Sequence, residues 1–172
     1  MNRAEMTEIF AVLMLAYPSA EMFRANSQQD LKEKLAPTIT LWTTCLKDID
    51  FWTAQQAVVR VCQSCKFPPT IAEMREAAED VKHQVESEID HALLMACQTV
   101  RYRLEGETLE SIYEELPDRT RKTIDAMGGM EAFAPPDSPM FNAREFERTY
   151  ERLLRSNPVG LPGGSGQRQI NG

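Results

Sequence analysis

The sequence predicts an all-α protein, and three observations carry that reading. Apolar residues recur at three- and four-residue intervals through most of residues 3–154. No stretch of useful length alternates apolar with polar side chains, as a half-buried strand would. Proline, glycine and capping residues mostly fall between the periodic segments, where helices start and stop. The expected architecture is an N-terminal bundle of four helices with a Phe-Pro-Pro corner. A long helix leads from it to a smaller helical C-terminal half, and a disordered tail follows. The corresponding domains are residues 1–85, 86–156 and 157–172.

The first helix covers residues 3–17, with Ile9, Leu13 and Tyr17 on one face, and Tyr17-Pro18 ends it. Its apolar run is short and acidic residues precede it, so it reads as a helix of the fold and not as a secretion signal. A polar break over Asn26–Asp30 leads to Leu31, Leu35, Ile39, Trp42, Leu46 and Ile49 at helical spacing. Pro37 lies inside that pattern, which predicts either a kink or two helices with Pro37 in the first turn of the second. Asp50 caps a third helix whose apolar set runs from Trp52 through Ala54, Ala57, Val58 and Val61 to Cys62 and Cys65.

Lys66-Phe67-Pro68-Pro69-Thr70 must then stop it, because each proline bars the residue before it from the helical region. Thr70 and Glu73 form a capping box that opens the next helix at once, and Phe67 is the side chain expected to plug the corner. From Ile71 to Val100 the apolar pattern runs on without Gly or Pro until Gly106. One helix of about 35 residues, roughly 50 Å, fits that run. The alternative is a break near His83–Glu88. Beyond it, Thr108 caps a helix holding Leu109, Ile112, Tyr113 and Leu116. Pro117 opens another that ends at Met127 before Gly128-Gly129. Residues 134–139 are a loop, and Asn142 with Glu145 caps a last helix bearing Phe146, Tyr150, Leu153 and Leu154.

The net charge of −7 is uneven, because residues 86–116 hold eight acidic against two basic side chains. An acidic balance opposes long-range attraction to nucleic acid, whose phosphates need a basic surface. No run of about 18 apolar residues could span a membrane. The four cysteines fall on predicted helices as reduced packing thiols, which suits a cytoplasm, here that of a host bacterium.

Catalytic signatures are missing: no phosphate-cradling Gly-x-x-x-x-Gly-Lys-Ser/Thr, no Gly-x-Ser-x-Gly and no His-Glu-x-x-His. The expectation is a non-enzyme with no catalytic residue, cofactor or metal. Cys62-x-x-Cys65 matches half of a zinc site, but the other half is absent and the two thiols share an apolar helix face. Arg119, Arg121 and Lys122 form a basic cluster after Pro117. On the last helix Arg144, Arg148, Arg152 and Arg155 alternate with Glu145, Glu147 and Glu151, a pattern that suits intrahelical ion pairs.

Several stretches together resemble the N-terminal domain of phage replicative-helicase loader/inhibitor proteins. They are Tyr17-Pro18, Leu41-Trp42, Leu46-Lys47-Asp48-Ile49-Asp50, Ala54, Ala57-Val58 and the run Lys66 to Arg75. The resemblance is good over residues 5–80 and looser from 86 to 156, where it rests on Ala92 to Val100, Ile124, Gly128-Gly129, Phe146 and Tyr150. Members of that family are small, ATP-independent, all-helical factors. The resemblance implies binding to a phage or host DnaB-type hexameric replicative helicase, which is held inactive and handed to an origin-bound initiator.

The expected contact is the last helix, with Phe146, Tyr150, Leu153 and Leu154 as apolar anchors and Arg148, Arg152 and Arg155 as a charged rim. The rival reading is a nucleic-acid-binding replication or transcription accessory protein using Arg119, Arg121 and Lys122.

Overall fold

The computed structural model describes residues 1–104, 109–133 and 142–156, and among them every regular element is a helix. Their order is α1 (Arg3–Ala16), a 3₁₀ turn (Glu21–Phe23), α2 (Gln28–Cys45), α3 (Phe51–Ser64), α4 (Ile71–Leu104), α5 (Leu109–Glu115), α6 (Asp118–Ala126), α7 (Met130–Phe133) and α8 (Ala143–Arg155). The described chain forms two compact units, residues 1–82 and 83–156. No helix among the described residues is long and apolar enough to cross a membrane. The Thr108 cap, the loop over residues 134–139 and the tail from residue 157 lie outside the described residues.

In the first unit each helix start is fixed by a local side chain. Asn2 accepts from the Ala4 and Glu5 amides at 2.8 and 3.0 Å, and Glu5 accepts in return from the Asn2 amide at 2.6 Å. This capping box satisfies donors that the first turn leaves open. α1 then buries Met6, Ile9, Phe10 and Leu13. The Ser27 hydroxyl caps α2 at the Asp30 amide, 3.1 Å away. α2 is one helix around Pro37. Pro37 stands on the exposed side, where the carbonyl that loses its helical donor can turn to water. The helix ends at Cys45, and Leu46 and Ile49 are buried from the turn that follows it. Phe10 meets Trp42 edge-on, ring centroids 5.1 Å apart.

Asp50 caps α3 twice over: its carboxylate accepts from the Thr53 amide at 3.0 Å and the Thr53 hydroxyl at 2.7 Å. α3 buries Thr53, Ala54, Ala57, Val58 and Val61 against α1. The corner follows as expected, and Thr70 and Glu73 cap α4 reciprocally at 3.2 and 2.7 Å. The donating Thr70 amide, with its hydroxyl, holds the Glu73 carboxyl below the usual carboxylate range. The expectation for Phe67 fails: it is 72% exposed, while Pro69 is buried at the corner. The prolines fill the crease themselves, so the ring is turned outward with the Lys66 ammonium 5.9 Å from its centroid. One turn into α4, Arg75 donates to both Asp48 carboxylate oxygens at 2.6 and 3.1 Å and to the Cys45 carbonyl at 2.6 Å. That guanidinium is also what lowers the Asp48 pKa most.

α4 is continuous for 34 residues, so the break near His83–Glu88 does not occur. In the first unit it buries Met74, Ala77, Ala78 and Val81; in the second it buries Ala92, Ala96 and Thr99. α6 starts after Pro117 and stops at Gly128 and Gly129, as the sequence predicts. Both glycines have positive φ, 105° and 84°, and the Gly129 amide reaches back to the Ile124 carbonyl at 3.0 Å. α7, a single turn, has no periodic signal in the sequence and is absent from the expected elements.

Candidate partner-binding surface

α8 is the most sharply divided helix in the described chain. Asn142 caps it at the Glu145 amide, 3.2 Å away. Phe146, Thr149, Tyr150 and Leu154 are buried at three- and four-residue spacing, and Arg144, Arg148, Arg152 and Arg155 are exposed on the other side. Phe146 has no exposed surface and packs its ring 5.9 Å from Phe133 and 6.0 Å from Tyr150. Ile124 of α6 and Ala92 and Ala96 of α4 belong to the same cluster.

A polar node sits at the edge of this core. Glu88 of α4 accepts from the Tyr150 hydroxyl at 3.1 Å and also pairs with the Arg119 guanidinium, which lies over the Tyr150 ring. Burial, ahead of the neighbouring charges, raises the Tyr150 phenol pKa, so it stays a neutral donor. Arg121 pairs with Asp118 and lies over Tyr113, whose hydroxyl donates to Asp125 at 2.6 Å. Two of the three cations of the Arg119, Arg121 and Lys122 cluster are thus engaged by carboxylates of their own unit.

The residues predicted to grip a partner therefore divide. Phe146, Tyr150 and Leu154 fill the core of the second unit, because an amphipathic helix buries its apolar stripe wherever a neighbour offers one. Leu153 is half-buried. Arg148, Arg152 and Arg155 surround an open hollow of about 570 Å³ that also touches Glu151 and Ser156. Arg155 pairs with Glu151 at 2.8 Å, the intrahelical pairing expected, whereas Arg148 and Arg152 make no ion pair among the described residues. What this face offers is a row of exposed cations backed by a rigid helix.

The other chemistry that the sequence suggested stays structural. Cys62 and Cys65 are half-buried beside Tyr17, whose hydroxyl donates to the Cys65 carbonyl at 3.0 Å. Burial pushes the Cys62 thiol up, which keeps it protonated and unreactive. Among the described residues no group of three or more His, Cys, Asp or Glu side chains converges as metal ligands would. The Glu88 node is invisible in the sequence because its partners lie 31 and 62 residues away, and no local spacing signals such a meeting.

Comparison with known proteins adds one finding, and it falls on the first unit. Residues 1–75 match the family model for the N-terminal domain of a phage helicase loader/inhibitor protein. No curated protein and no solved structure matches the chain. The segment with the capped helices and the Phe-Pro-Pro corner is a domain of the phage helicase loader/inhibitor family.

Proposed function

We propose that this protein binds a DnaB-type hexameric replicative helicase of a phage or its host and controls its loading and activity. The observation that carries the reading is the family match over residues 1–75. The sequence has no P-loop, so the action comes from binding energy and not from an ATP cycle. A ligand shifts a ring between conformations only by binding one more tightly than another. The protein therefore holds one helicase state, and release follows when a competing protein, such as an origin-bound initiator, takes its place. The reading places it in the bacterial cytoplasm, where that helicase works.

The contact we assign to the helicase is α8. Arg148, Arg152 and Arg155, with the exposed part of Leu153, meet the partner; Phe146, Tyr150 and Leu154 hold the helix in place from behind. Size exclusion with light scattering of the protein mixed with a DnaB-type helicase tests the reading, and a stable complex is the expected result. Reversing Arg148 and Arg152 together to Glu should weaken that complex at least about tenfold, near 1.4 kcal/mol. Because both side chains are exposed, melting should not change. No complex at micromolar concentration, or ATP hydrolysis by the pure protein, would defeat the proposal.

A further inference from the structure

A second surface lies in the first unit, on residues that no helix of the fold covers. α1 and α2 enclose an outward-facing groove of about 460 Å³. Phe10, Leu35 and Ile39 form its floor, each with less than a tenth of its surface exposed. The walls are Ala11 and Met14 on α1 and Leu31 and Ala36 on α2. The two alanines keep the walls low enough for another helix to approach closely. The groove runs from Arg3 to Met14 along α1 and from Gln28 to Ile39 along α2. At 1.5 Å per residue that is about 16 Å, the length of three helical turns.

Its charge is one-sided. Arg3 and Lys32 line the groove from opposite helices, and no carboxylate is among the described residues lining it. Arg3 is held in position by the Thr40 hydroxyl at 2.7 Å, which in turn donates to the Ala36 carbonyl at 2.8 Å. Lys32 makes no ion pair among the described residues. An apolar trough with a fixed cation on one wall and an unpaired one on the other selects a particular shape of ligand.

We propose that this groove docks an amphipathic helix of a partner protein, about three turns long, with an apolar stripe flanked by carboxylates. Apolar contact supplies the affinity, and the Arg3 and Lys32 charges fix direction and exclude basic helices. The site is separate from α8 and does not rest on helicase binding. Its test uses no helicase, so failure of either proposal leaves the other standing.

The probe is a fluorescein-labelled designed peptide of about four turns, with Leu along one stripe and Glu at both ends, titrated into the full chain. One control peptide carries Lys in place of Glu, and a second has the same composition with the leucines off the stripe. The Glu peptide should bind best, and amide shifts should move along α1 and α2. Lys32→Glu should weaken it about tenfold and improve the Lys peptide, and Ala36→Glu should abolish binding of both. Both positions lie on the helix surface, and an unchanged circular dichroism melt shows that the fold is kept. Three outcomes would overturn the proposal. One is equal or absent binding of the peptides, and another is indifference to Lys32→Glu. The third is a self-associated chain that Ala36→Glu converts to monomer, since the occupant would then be a second copy.

Discussion

The two units are built from similar amphipathic helices but hold themselves together differently. The core of residues 1–82 is almost wholly apolar, running from Met6 and Ile9 through Trp42 and Leu46 to Val58 and Met74, and its polar contacts close helix ends. The core of residues 83–156 is interrupted by polar groups: Thr99, Thr120, Thr123 and Thr149 are buried, and Glu88, Arg119 and Tyr150 form a node at its edge. An apolar core loses stability roughly in proportion to the area removed. A core threaded with polar groups also depends on every donor keeping its acceptor. The difference shows where specificity was placed: in the first unit at the corners, in the second inside the packing.

The sharpest way to break this comparison is Phe146→Ala, which empties the centre of the second unit. A fully buried aromatic cut to Ala typically costs about 3–5 kcal/mol. Both tryptophans, Trp42 and Trp52, lie in the first unit, so tryptophan fluorescence reports on it alone. The helical dichroism should therefore gain an early transition while the fluorescence melt holds. If both melt together, the units fold as one and the contrast between them collapses.

Glu88→Ala is the next largest. It leaves the half-buried Arg119 and the Tyr150 hydroxyl without their acceptor, and water can replace only part of it. A loss of about 1–2 kcal/mol is expected in urea melts of helical dichroism, confined to the second unit. A change below a few tenths would mean that the node is decoration and the second core is held as the first is.

The smallest effect belongs to the corresponding single contact of the first unit. Tyr17→Phe removes the bond to the Cys65 carbonyl and should cost about 1 kcal/mol at neutral pH. Burial, ahead of the nearby Cys62 and Cys65 thiols, pushes the Tyr17 phenol up to about 12. Its folded pKa thus lies above the unfolded value of about 10. The stabilisation from the protonated phenol is complete below pH 10 and is lost as the pH rises toward 12. The margin of the native protein over the Phe variant should shrink across that interval; a margin constant with pH would remove the assigned cause.

What is legible in the sequence follows how local each cause is. Asp50 with Thr53, Thr70 with Glu73, and Gly128-Gly129 after Met127 act within three or four residues, and the chain alone shows all of them. Phe67 departs from expectation because an aromatic beside two prolines is apolar by composition, while its direction depends on how the corner packs. α7 escapes because one turn carries no period. On α8 the apolar stripe is plain, but which body it faces is a tertiary fact, and Ile124, Phe133 and Ala96 supply the answer. The α1–α2 groove is equally hidden, since residues lining a trough and residues lining a core obey the same spacing.

The Phe-Pro-Pro corner has one more consequence. Pro68 and Pro69 restrict the backbone before folding as well as after it, so the bend costs little entropy to form. When α3 and α4 melt, the crease between them is largely preserved in the unfolded chain. Refolding can start from a chain already bent at the right place, with the two helix ends it joins held near each other.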